Sequence, residues 1–239
     1  MFEAREAEFR EHLDAIEALA PALEALGGDP PPAPRWAQDW FPRLDAAAAY
    51  AMLRRHRPRR VVEVGSGHST RFMTRAVSDG GFECRITSID PRPRATLDGL
   101  RIEALRLPVQ DAGEEPFAML AGGDVLFIDS SHRRKPGGDV EFLFERVLPR
   151  LAPGVLIHVH DIFLPDGYPA HWAWRGYDEQ QAVAGILANG GYTAQFASAW
   201  IRTRRPEWIA RGLLSRLPLV DGAIESSLWL RKDRITAAP

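Results

Sequence analysis

The sequence predicts an α/β fold in which a mostly parallel sheet carries helices on both faces, and three observations predict it. Short apolar runs alternate with segments of helical spacing. The first run, Val61-Val62-Glu63-Val64, passes directly into a Gly65-Ser66-Gly67 turn and a helix start. Asp90, Asp129 and Asp161 stand just past the carboxyl ends of later runs, where open α/β sheets bind ligands.

In chain order, residues 1–26 place Phe9, Leu13, Ile16, Ala20 and Leu23 at helical spacing and predict one amphipathic helix. Gly27-Gly28 stops it, and a proline-rich connector follows. We expect residues 1–40 to form one unit, a lid, a contact to a second copy of the chain or a helix docked on the main domain, and residues 41–239 to form the ligand-binding domain. Trp36, Trp40 and Phe41 either close over a ligand or form a local apolar plug. A helix over 44–56 leads into the first strand, where β-branched Val61, Val62 and Val64 favour extended, packed backbone. An unpaired carboxylate among them is costly, so Glu63 is assigned to a ligand. Gly65 and Gly67 allow a sharp turn and close approach of that ligand. Ser69 and Thr70 suit the cap of the following helix.

The second strand, 85–90, ends in Asp90, 23 positions after Gly67, where such folds bind ribose hydroxyls. A third strand is expected over 105–109. The fourth, Val125-Leu126-Phe127-Ile128, is apolar throughout, as burial on both faces requires, and ends in Asp129-Ser130-Ser131-His132. The fifth, 155–159, ends in His160-Asp161. Residues 164–177 make a long aromatic loop, read as a substrate-facing wall. A sixth strand over 192–201, an inserted helix over 207–217 and a last strand over 226–231 fit a terminal antiparallel hairpin.

Composition restricts the function classes. Of 239 residues, 45% are hydrophobic and 26% charged, as in ordinary globular proteins. A net charge of −2 gives no electrostatic reason to bind nucleic acid or an anionic membrane. The single cysteine, Cys84, forms no internal disulfide and suits a reducing, cytoplasmic setting. No signal peptide is expected, and no apolar run approaches the ~20 residues of a membrane span. The glycine turn is not a P-loop, because no Gly-Lys-Ser/Thr follows. Nor is it a full dinucleotide fingerprint, because Thr70 stands where the third glycine belongs.

The segments VVEVGSGHST, ITSIDPRPR, DVLFIDSSH, LAPGVLIHVHDIFLP and SSLWLRK lie within residues 40–231. With them in place, the chain resembles the class I S-adenosylmethionine-dependent methyltransferases of the Methyltransf_24-like bacterial group. The resemblance implies a Rossmann-like, seven-stranded sheet with an antiparallel last strand. It implies S-adenosylmethionine held by Glu63, Gly65, Ser66, Gly67, His68, Ser69, Asp90 and Asp129, with Gln110 or Asp111 at the adenine. Some relatives also use a divalent metal held by acidic residues after the fourth and fifth strands, where Asp129 and Asp161 stand. His160 departs from their acidic or amide ligand. Mg²⁺ prefers oxygen, whereas an Asp–His–Asp set suits Mn²⁺, Fe²⁺ or Zn²⁺ as well. The alternative is that His160 and Asp161 hydrogen-bond each other or the backbone.

The expected reaction is methyl transfer to a hydroxyl of a small molecule or sugar. Its base is His132 or His160, because imidazole titrates nearest neutrality, with Asp129 beside it. Two rivals are a non-catalytic protein on the same fold and a nicotinamide-dependent oxidoreductase, the latter disfavoured by Thr70.

Overall fold

The computed structural model describes residues 2–234; Met1 and residues 235–239, the outer ends of the two expected units, lie outside the described residues. The strands are β1 (Arg60–Val64), β2 (Arg85–Ile89), β3 (Glu103–Leu105), β4 (Val125–Ile128), β5 (Leu156–Val159), β6 (Tyr192–Ala197) and β7 (Leu228–Lys232). They form one seven-stranded sheet in the order β3-β2-β1-β4-β5-β7-β6. The first five pair in parallel, and β7 runs antiparallel to both β5 and β6, as the sequence predicts. The chain steps outward from β1 to β3, then returns to place β4 on the other side of β1. That reversal opens a crevice at the carboxyl ends of β1 and β4.

The helices are α1 (Glu6–Glu17), α2 (Ala20–Glu24), α3 (Arg43–His56), α4 (His68–Gly80), α5 (Val109–Ala112), α6 (Glu115–Ala118), α7 (Asp139–Glu141), α8 (Glu179–Asn189), α9 (Ser198–Arg204) and α10 (Gly212–Arg216). A π-type turn, Phe142–Val147, and a 3-10 turn, Leu148–Arg150, extend α7.

Four expectations need correction. The amino-terminal helix is two helices, broken at Ala18-Leu19; Pro21 has no N–H and is accommodated in the first turn of α2. The third strand lies earlier, at Glu103–Leu105, because Pro108 cannot donate to a ladder and instead heads α5. The sixth strand ends at Ala197, and Trp200 and Ile201 are buried from α9. Apolar residues alone do not separate a buried strand from a buried helix. The inserted helix is divided into a 3-10 turn at Pro206–Trp208 and α10, which opens on Gly212 at φ +64.

The amphipathic stripe of the amino terminus is buried, but against its own chain. Phe9 packs edge-on against Phe196 and Trp200, with ring centroids 6.1 and 5.6 Å away. Phe9, Ile16 and Leu23 belong to the same core as β1 and β4. That apolar face therefore docks on the main domain.

Candidate active site

The ends of β2, β1 and β4 are drawn together by backbone bonds: Gly65 N–H donates to Ile89 O (3.0 Å) and Asp129 N–H to Val64 O (2.9 Å). Gly65 sits at φ +80, and a Cβ there would overlap the Asp129 carbonyl oxygen. Only glycine serves at that crossing. Asp90 fixes the turn from the side. Its Oδ2 accepts from Ser66 N (2.7 Å) and Ser66 Oγ (3.0 Å), and its Oδ1 accepts from Arg92 N (2.7 Å).

Thr70 has a constructive role where a third glycine was looked for. Its hydroxyl accepts from Gly67 N (3.0 Å) and donates to Glu63 Oε2 (2.6 Å), while Ser69 Oγ donates to Glu63 Oε1 (2.6 Å). Glu63 thus clamps β1 to α4 from beneath the turn and is fully buried. Burial pushes its carboxyl up to about 8, against the pull of the two hydroxyls. Glu63 and Ser69 do not line the ligand cleft; they brace the turn that does. His68 also stands off the cleft, pushed down to about 4 by burial and by the nearby Arg71 and Arg35.

The cleft above the turn has a volume of about 290 Å³. Of the expected cofactor residues, Gly65, Ser66, Asp90, Gln110 and Asp129 line it; Gly67 and Asp111 do not. A second cleft of about 110 Å³ adjoins it, and the two share Arg94 and Asp129. The second is lined by His132, His160, Asp161, Trp40, Trp172 and Tyr177 among others. The aromatic trio of the connector divides here: Trp36 and Phe41 are buried plugs, whereas Trp40 is 45% exposed at this cleft.

The four polar residues after β4 and β5 converge. His132 Nε2 lies 3.1 Å from Asp129 Oδ1 and 3.4 Å from Asp161 Oδ2. His160 Nδ1 lies 3.5 Å from Asp129 and 3.6 Å from Asp161. His132 and Asp161 both adopt left-handed backbone, φ 58 and 56, which side chains other than glycine rarely occupy. Burial alone would lower both imidazoles. The surrounding carboxylates, Asp161 foremost, instead raise them well above the usual histidine value. Burial opposes the charge on Asp129, yet His160 and His132 hold its carboxyl well below the usual range.

Two further residues were missed in the sequence. Asp45, fully buried on α3, faces His160 Nε2 (3.3 Å) and accepts the N–H groups of Ser226 (2.8 Å) and Ser227 (3.0 Å). Those bonds hold Ser226 and Ser227 short of β7, which begins at Leu228. Glu179, fully buried at the start of α8, faces His132 Nδ1 (2.8 Å), and its own N–H donates to His132 O (3.2 Å). The available signals were a lone acid just before the alanine run 46–49 and an acid opening a helix, the second of which is commonplace.

Among the described residues, no three His, Cys, Asp or Glu side chains stand as a ready metal cluster. The donor atoms of Asp129, His132, His160 and Asp161 are in contact with one another.

Residues 62–162 match the family model described as "Methyltransferase domain" (Methyltransf_24). Among solved structures, an SAH-bound methyltransferase of Podospora anserina, PaMTH1, is 15% identical; the match covers 95% of this chain and 88% of that one, at a TM-score of 0.50. An SAH-bound O-methyltransferase of Bacillus cereus is 18% identical, with 77% and 82% covered and a TM-score of 0.43. The mycinamycin-pathway methyltransferase MycE, bound to Mg, SAH and mycinamycin VI, is 20% identical, with 76% and 47% covered and a TM-score of 0.42. No curated protein matches the chain.

Proposed function

We propose that this chain, a class I methyltransferase whose residues 62–162 carry the Methyltransf_24 domain, transfers the methyl group of S-adenosylmethionine to a hydroxyl of a small molecule or sugar. One observation carries the reading: the cleft on the glycine turn and the cleft holding the histidine–aspartate cluster meet at Asp129 and Arg94. A donor site and an acceptor site must share such a boundary for in-line transfer.

The residues present fit S-adenosylmethionine. Gly65 and Ser66 line the cleft with the turn itself, Asp90 presents a carboxylate at its wall, and Gln110 lines it as well. When bound, that cofactor supplies an already activated methyl group. The protein's part is to orient the acceptor, exclude water and take the hydroxyl proton. Trp40, Trp172 and Tyr177 wall the acceptor cleft. Glu179 and Asp45 fix the rings of His132 and His160. Because the surrounding carboxylates favour the protonated form of both imidazoles, either serves as base only after losing that proton.

A second reading, a divalent metal on Asp129, His160 and Asp161, rests on His160 Nδ1 lying 3.5 Å from Asp129 and 3.6 Å from Asp161. Two carboxylates and an imidazole suit Mn²⁺, Fe²⁺ or Zn²⁺, and a cation there would supply Lewis acidity to the hydroxyl. The test is labelled methyl transfer from S-adenosylmethionine across phenols, hydroxy acids and sugars, run before and after chelation. Methylation that survives chelation removes the metal. No methylation of any acceptor or cell extract by a protein that binds the cofactor supports the non-catalytic alternative instead.

A further inference from the structure

Arg175 ends the 3-10 turn Ala170–Arg175 in the wall of the smaller cleft. Its guanidinium lies 4.1 Å from the Trp172 ring centroid and 5.4 Å from that of Tyr177. Its Nη1 donates to Tyr177 Oη (3.1 Å), while its Nε is shielded from solvent and has no partner. Arg94, in the same cleft, lies 4.0 Å from the Trp40 centroid. Among the described residues neither cation makes an ion pair.

That is unexpected in a cleft that also holds Asp39, Asp129 and Asp161. Arg43 and Arg204, by contrast, each take a carboxylate, Glu225 (2.9 Å) and Asp166 (2.7 Å). Here Asp129 and Asp161 are committed to the histidines. A guanidinium stacked on an indole keeps its in-plane N–H edge open, and that edge matches the two oxygens of a carboxylate or phosphate. A shielded cationic N–H left without an acceptor is costly, so a ligand oxygen is the natural partner for Nε.

We propose that Arg175 anchors an oxyanion, carboxylate or phosphate, borne by the methyl acceptor, so that the acceptors are acidic hydroxyl compounds rather than neutral sugars. The word acceptor rests on the methyl-transfer reading; the anion site does not. Arg175 lines only the smaller cleft, whereas Arg94 lines both and serves either ligand.

The test follows the Nε–H resonance of Arg175 in the full-length ¹⁵N-labelled protein as benzoate or inorganic phosphate is added, with and without S-adenosylhomocysteine. A saturable shift with at least one anion is expected in wild type, and calorimetric titration of the same anion, which needs no Arg175 resonance, should show affinity weakened roughly tenfold or more in Arg175→Gln. Affinity for S-adenosylhomocysteine should be unchanged in that variant. The anion that saturates first identifies the acidic group. An Nε–H resonance unmoved by both anions overturns the proposal, as does equal anion binding by Arg175→Gln. If the anion shift occurs but S-adenosylhomocysteine does not bind, the methyl-transfer reading falls and the anion site stands.

Discussion

Glu63 shows how one residue can be noticed in the sequence while its partners stay open. A carboxylate in a buried valine strand announces a partner, but sequence does not say whether that partner is a ligand or the Ser69 and Thr70 hydroxyls that take it. Its titration is testable. With the folded carboxyl at about 8 against an ordinary 4.5, the folded state keeps a proton that the unfolded state releases between those values. Stability therefore falls as pH rises through that window, by an amount on the order of a few kcal/mol. Glu63→Gln should flatten the fall, measured as urea midpoints at either end of the window; an unchanged slope contradicts this assignment. The histidines run on the same sign for stability and the opposite sign for chemistry. Their folded values are raised, so their stabilisation is complete below the usual histidine value and is lost as pH rises through the folded value. Only above it does an imidazole act as base. Turnover should therefore climb into the alkaline range and fall at least about tenfold in His132→Gln or His160→Gln, whichever is the base. A flat profile together with full activity in both variants would remove the histidine base. Asp90 and Asp129 were legible because each follows a recognisable strand. Asp45 and Glu179 were not, because what distinguishes them is burial beside a histidine far away in sequence.

At the scale of elements, the parallel strands were legible from their apolar runs, and the errors gathered where an apolar run changes element. Ala197 to Ile201 is one apolar stretch divided between β6 and α9, and the division is set by packing against Phe9 rather than by local propensity. The same contact decides what the amino terminus does. Phe9 is fully buried between Phe2, Phe196 and Trp200. Phe9→Ala should cost about 3–5 kcal/mol of stability while leaving affinity for S-adenosylhomocysteine intact. A thermal midpoint equal to wild type would show that α1 is peripheral after all. The connector reaches the smaller cleft through Asp39 and Trp40, so Trp40→Ala should lower acceptor use more than cofactor affinity. Equal losses in the two would place Trp40 at the donor side.

At the scale of the whole molecule, the reversal of strand order between β1 and β4 puts the glycine turn beside Asp129, and the return of β5 brings His160 and Asp161 to the same place. The order of motifs in the sequence was enough to foresee that convergence, because parallel neighbours present their carboxyl ends on one rim. What it could not give was the two-cleft shape, which depends on the arginine and tryptophan side chains carried by long connections. The claim on which the account stands is that the larger cleft takes the adenosyl cofactor with Asp90 at its wall. Calorimetric titration of S-adenosylhomocysteine into wild type and a folded Asp90→Ala variant tests it most directly. The account predicts one-to-one binding by wild type, weakened in the variant by about 1–3 kcal/mol, roughly fivefold to 150-fold. No binding by the folded wild type, or equal affinity in the two proteins, would contradict it.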